Sequence, residues 1–89
     1  MESSDSLIQF PCDYLFKAVG SDEEEGGFLQ AVHRAVSEVV PVPMDSLKCR
    51  PSSQGNYLAV SVLVRLHNME QVHNIYAALR GVEGLKFLL

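Results

Sequence analysis

The chain is poor in the features that would settle its class at a glance. It has two cysteines, Cys12 and Cys49, too few for a disulfide framework. No apolar run approaches the about 20 residues that a membrane-spanning helix needs. The start, Met1-Glu2-Ser3-Ser4-Asp5, lacks the basic stretch and apolar core of a secretion signal. Basic residues are the minority, 7 against 11 acids, so a bulk electrostatic binder of nucleic acid is disfavoured. Neither CxxC nor HxxxH spacing occurs among Cys12, Cys49, His33, His67 and His73. No motif marks an activated nucleophile or an oxyanion hole. The expectation is a cytoplasmic protein with no metal, no cofactor and no reaction of its own.

What is present reads as one small globular domain. Over 89 residues, 47% are apolar and 20% charged, a balance that can bury a core. Residues 1–9 are polar and acidic apart from Leu7 and Ile8 and read as a flexible lead-in, leaving a domain over 10–89.

Periodicity then gives six elements. Tyr14 to Val19 alternates as a strand that ends at Gly20. Ser21 with Glu24 has the spacing of a capping box. A helical stripe follows: Phe28, Leu29, Val32, Ala35, Val36, Val39 and Val40, stopped by Pro41 and Pro43. Ser46 to Arg50 alternates again, then Pro51 to Asn56 forms a turn cluster. Leu58 to Leu66 is the strongest strand. Asn68 with Gln71 caps a second helix whose stripe is Met69, Val72, Ile75, Tyr76 and Leu79, with Gly81 placed to end it. Leu85, Phe87 and Leu89 alternate against Lys86 and Leu88.

The order strand-helix-strand-strand-helix-strand, with one apolar stripe per helix, predicts an α+β ferredoxin-like βαββαβ two-layer sandwich. Two helices cover one face of a four-stranded antiparallel sheet, with the first and third strands central.

The other sheet face is then open. The alternation assigns it Leu15, Lys17, Val19, Lys48, Arg50, Ser61, Leu63, Arg65, His67, Lys86 and Leu88, with no carboxylate among them. Five of the 7 basic residues fall in this set, while 7 of the 11 acids lie in residues 1–25. The plain alternative is that these cations merely keep an exposed sheet in solution. The segregation of sign favours a contact surface for a partner protein or a second copy, a homodimer included, with Leu15, Lys17, Leu63, Arg65, Lys86 and Leu88 as its residues. RNA-binding sheets of this kind stack bases on central-strand aromatics, and here only His67 offers a ring. A second candidate is the 51–56 loop: Arg50 with Ser52, Ser53, Gly55 and Asn56 offers a cation, hydroxyls and backbone N–H groups to a small anionic metabolite. Against it stands a hairpin chosen only for its backbone angles.

At the level of words, several stretches resemble a known group. Phe10-Pro11, Tyr14 through Gly20, Pro51-Ser52-Ser53-x-Gly55-Asn56-Tyr57, Ser61-Val62, Glu70-Gln71-Val72 and Lys86-Phe87-Leu88-Leu89 are similar to the YbeD-like family of small uncharacterised bacterial proteins. The resemblance runs from Phe10 to the C-terminus. It implies a ferredoxin-like fold akin to the ACT regulatory domains, which sense small metabolites, and it brings no catalytic or ligand residues with it. Two functions follow as expectations: a non-enzymatic regulatory or adaptor module using the open sheet face, and an ACT-like metabolite sensor using the 51–56 loop.

Overall fold

A computed structural model describes residues 9–22, 26–51 and 57–89. Among these residues, four strands and two helices follow in the order β1 (Cys12–Gly20), α1 (Gly27–Ser37), β2 (Leu47–Pro51), β3 (Leu58–Leu66), α2 (Met69–Arg80) and β4 (Leu85–Leu88), with a 3-10 turn at Met44–Ser46 ahead of β2. The strands form one antiparallel sheet in the order β2-β3-β1-β4. This is the βαββαβ arrangement that the periodicity predicts, with β1 and β3 central.

The two central strands pair over nine residues, from Cys12 opposite Leu66 to Gly20 opposite Leu58. Their alternation places Phe16, Ala18, Val60, Val62, Val64 and Leu66 on one face, all buried. Phe28, Val32 and Val36 of α1 and Val72, Ile75 and Leu79 of α2 cover that face and complete the core. Fully burying each of these side chains contributes about 1.5–3 kcal/mol relative to exposure. At one end of the core the rings of Tyr14, Phe16 and Tyr76 cluster, with Phe16 and Tyr76 edge-to-face at 5.0 Å. The Tyr14 and Tyr76 hydroxyls lie 3.4 Å apart. Burial, and then the bond and charge of Tyr14, push the Tyr76 hydroxyl up to about 12 against a lowering by Arg80.

The ends of the helices differ from the sequence reading in one case and match it in the other. Asn68 accepts from the Gln71 amide at 2.9 Å, as its spacing predicts. At α1 it is Asp22, not Ser21, that serves the first turn. Its carboxylate accepts from the Gly26 and Phe28 amides at 3.2 and 3.0 Å. A carboxylate reaches farther than a serine hydroxyl and suits the positive end of the helix. Glu24, the other half of the expected capping box, lies outside the described residues. The cap of α1 is Gly26 in the left-handed region at φ 81°. Gly81 ends α2 with an ordinary φ of −88°, and the left-handed glycine falls three residues later at Gly84.

Two placements that strict alternation implies, Cys49 in the core and Leu88 on the open face, are corrected. Cys49 is in register with Val60 on the helix side, yet it is exposed rather than part of the core. Strand β2 is an edge strand, and only Leu47 at its start is buried. The second correction concerns β4. Ala18 pairs with Leu88 and Val19 with Phe87, but Gly20 pairs with Leu85, so Lys86 is an extra residue in a β-bulge. Alternation restarts there. Leu85 and Leu88 both pack toward the core, while Phe87 faces the open side beside Val19. Leu88 therefore leaves the set of open-face residues, and Phe87 and Leu89 join it.

Candidate open sheet face

The sheet register lays out the open face as rows running across the strands. Asp13 of β1 stands opposite Arg65 of β3, and Leu15 stands opposite Leu63. In the next row Lys48, Ser61 and Lys17 lie side by side, and Leu89 extends it through two backbone hydrogen bonds with Lys17. The last row is Arg50, Ala59, Val19 and Phe87.

The apolar members are unusually open for their size. Leu15 is 57% exposed, Leu63 49% and Phe87 59%. Directly opposed side chains on one sheet face touch, so Leu15 and Leu63 form a small greasy ridge. Lys17, Lys48, Arg50, Arg65 and Lys86 are all exposed around it. Of the described residues on this face only Asp13 is a carboxylate. The alternation marks β1 only from Tyr14, whereas the strand starts at Cys12 and so brings Asp13 onto this face. Asp13 lies 3.3 Å from Arg65, with both side chains more than half exposed. Such a pair contributes at most about 1 kcal/mol and leaves the guanidinium available.

Beside the ridge the face is concave. Leu15, Leu63, Ser61 and Lys48 line a depression of about 450 Å³, walled by Asp45 and Ser46 of the 3-10 turn. The sheet alone would be flat here. The link after α1 makes the wall: Pro41 and Pro43 end the helical path, and the Val42 carbonyl oxygen lies 2.9 Å from His33 Nε2. A carbonyl can only accept, so that ring nitrogen carries the hydrogen and ties the link to α1. Nothing in the sequence pattern marks Asp45 as a neighbour of Leu15 and Leu63, because the 3-10 turn has no periodicity of its own.

The second candidate divides differently. Arg50 lies exposed on β2, with no ion pair among the described residues. Its expected companions Ser52, Ser53, Gly55 and Asn56 lie outside the described residues. Among the described residues no three His, Cys, Asp or Glu side chains gather as a metal site would require. Among the described residues, no helix is long and apolar enough to cross a membrane.

Comparison with known proteins places this geometry in a family. Residues 5–89 match a family described as "Protein of unknown function (DUF493)". A Neisseria gonorrhoeae relative called "UPF0250 protein" is 40% identical over 89 residues, covering 99% of this chain and 96% of the relative. A Paraburkholderia phytofirmans relative of the same name is 36% identical over 87 residues, covering 97% and 96%. Among solved structures, the solution structure of an H. pylori protein superposes with a TM-score of 0.69 at 15% identity, covering 100% of this chain and 96% of that one. The ACT domain of a Chlorobium tepidum GTP pyrophosphokinase superposes with a TM-score of 0.52 at 17% identity, over 88% and 97%. At such identities the likeness is one of fold.

Proposed function

The chain belongs to the DUF493 family, and from that premise we propose that it is a regulatory or adaptor module, without a reaction of its own, that binds a protein partner through the open face of its sheet. The observation that carries this reading is the exposed Leu15–Leu63 ridge set among cations. Cations alone would keep the sheet in solution, and an apolar ridge works against that purpose. The two together have the make-up of a small contact surface, an apolar centre within a polar rim. The ferredoxin-like neighbours support the fold on which this reading stands and leave the partner open.

Leu63→Asp tests it. Leu63 is 49% exposed and its side chain points away from the helices, so the variant keeps its circular dichroism and most of its stability. A carboxylate on the ridge abolishes co-purification of the proteins that the parent chain retains. An unchanged set of retained proteins would overturn the proposal.

A second reading stays in play because Arg50 is exposed and has no ion pair among the described residues. In that reading Arg50, with Ser52, Ser53, Gly55 and Asn56, holds a small anionic metabolite in the manner of an ACT-like sensor. It requires that one class of anion raise the melting temperature of the parent chain and fail to do so for Arg50→Ala.

A further inference from the structure

We infer that the partner of the open face is an acidic protein segment that inserts one large apolar side chain into the depression beside Leu15 and Leu63. The inference rests on the reading of this face as a contact surface and adds what the partner must look like. Charge comes first. Lys17, Lys48, Arg50, Arg65 and Lys86 stand exposed on or beside the face, against the two carboxylates Asp13 and Asp45. Asp13 is engaged with Arg65. A second copy presenting the same face would set like charges against like, which disfavours that pairing. An acidic surface meets the opposite condition.

The distribution of charge also gives the contact a direction. Lys17 and Lys48 share one row with Ser61, and Arg50 lies in the next. Asp45 stands on the wall of the depression, and no ion pair with Lys48 forms. The partner's carboxylates therefore belong over Lys17 and Arg50, and the part of the partner that passes Asp45 must be neutral or basic. Between the two sits the depression of about 450 Å³, bounded on one side by the Leu15–Leu63 ridge and on the other by Asp45 and Ser46. An aliphatic or aromatic anchor fits against the ridge, and anchors of this kind carry most of the affinity of small interfaces.

Two synthetic peptides of equal length provide the test, each with a single Phe, one flanked by Glu and the other by Lys. Each is titrated into uniformly ¹⁵N-labelled protein at low ionic strength. The expected result is that the acidic peptide shifts the amides of Leu15, Lys48, Ser61 and Leu63, and that the basic peptide does not. Lys17→Glu combined with Lys48→Glu weakens the acidic peptide about tenfold, since several exposed charge contacts each change by a fraction of a kcal/mol. Asp45→Lys strengthens it about threefold on the same grounds. Raising the salt weakens it as the charges are screened. If the basic peptide shifts these amides instead, the charge of the partner is wrong while the open face survives as the contact surface. If the acidic peptide leaves these four amides unmoved at millimolar concentration, the inference is overturned. The Leu63→Asp capture experiment then decides separately whether the face binds proteins at all.

Discussion

Gly20 is packed closely against α1 and the Gly84 turn, and replacing it with Ala tests what that close approach contributes. A Cβ placed on Gly20 would lie 2.5 Å from Phe28 Cε1, 2.6 Å from Phe28 Cζ and 2.6 Å from the Gly84 carbonyl oxygen. Carbon atoms do not approach this closely, so something has to move. The Phe28 ring is 3% exposed and packed into the core, and the Gly84 oxygen already accepts the Ser21 amide at 2.9 Å. Neither can withdraw without disturbing a neighbour. Overpacking of this kind costs about 1–3 kcal/mol, offset by up to about 1 kcal/mol from the stiffer unfolded chain. We expect a net loss of about 2 kcal/mol, which lowers Tm by about 8–16 °C for a domain of this size. Urea denaturation followed by circular dichroism measures it. Two other glycines separate this steric effect from backbone effects. Gly26→Ala meets nothing within 4 Å but holds φ at +81°, so it loses about 1–2 kcal/mol through strain alone. Gly81→Ala has an ordinary φ and its nearest neighbour at 3.6 Å, so it is neutral or gains a few tenths of a kcal/mol. A Gly20→Ala midpoint within about 0.5 kcal/mol of the parent, the usual range for substitutions that touch nothing, would falsify the close approach of β1, α1 and the Gly84 turn.

Two further outcomes follow from the same structure. Asp22→Ala removes the acceptor of two backbone amides at the start of α1 and loses about 1 kcal/mol, read as a lower urea midpoint, whereas Ser21→Ala changes little. Tyr76 has its folded-state hydroxyl raised from 10.0 to about 12, so its contribution to stability is complete below pH 10 and is lost as the pH rises through about 12. Denaturation midpoints therefore hold level up to pH 10 and decline above it, and Tyr76→Phe, which cannot ionise, flattens that part of the decline.

How much of this was readable from residues alone depends on which physical signal each part uses. The central strands were legible because Phe16, Ala18 and the even residues from Val60 to Leu66 repeat at the strand period, and both helices because their apolar positions repeat at the helical one. The cap at Asn68 was legible because its partner Gln71 lies within the same turn. The start of α1 was not, since a choice between Ser21 and Asp22 is decided by reach across a glycine pair, which spacing does not encode. The face of β4 was not, because a bulge adds a residue without changing the pattern of apolar and polar positions. Asp13 escaped because β1 is extended at its start by pairing with Arg65 and Leu66, a tertiary effect. The wall of the depression, Asp45 and Ser46, depends on where an irregular link lands. The candidate face was thus readable in its centre, at Leu15, Lys17, Leu63 and Arg65, and unreadable at its margins, where Leu88 gives way to Phe87 and Leu89.

The extra residue at Lys86 matters beyond the packing of one strand. It sets the phase in which everything after it is presented, in the way that a reading frame sets the meaning of the letters downstream. Without the bulge, regular alternation from Leu85 opposite Gly20 would turn Leu88 to the open side and Phe87 toward the core; with it, Phe87 stands opposite Val19 and Leu88 opposite Ala18. One unpaired residue thus decides which side chains a margin of the contact surface presents, while the four-residue strand that carries them stays paired with β1.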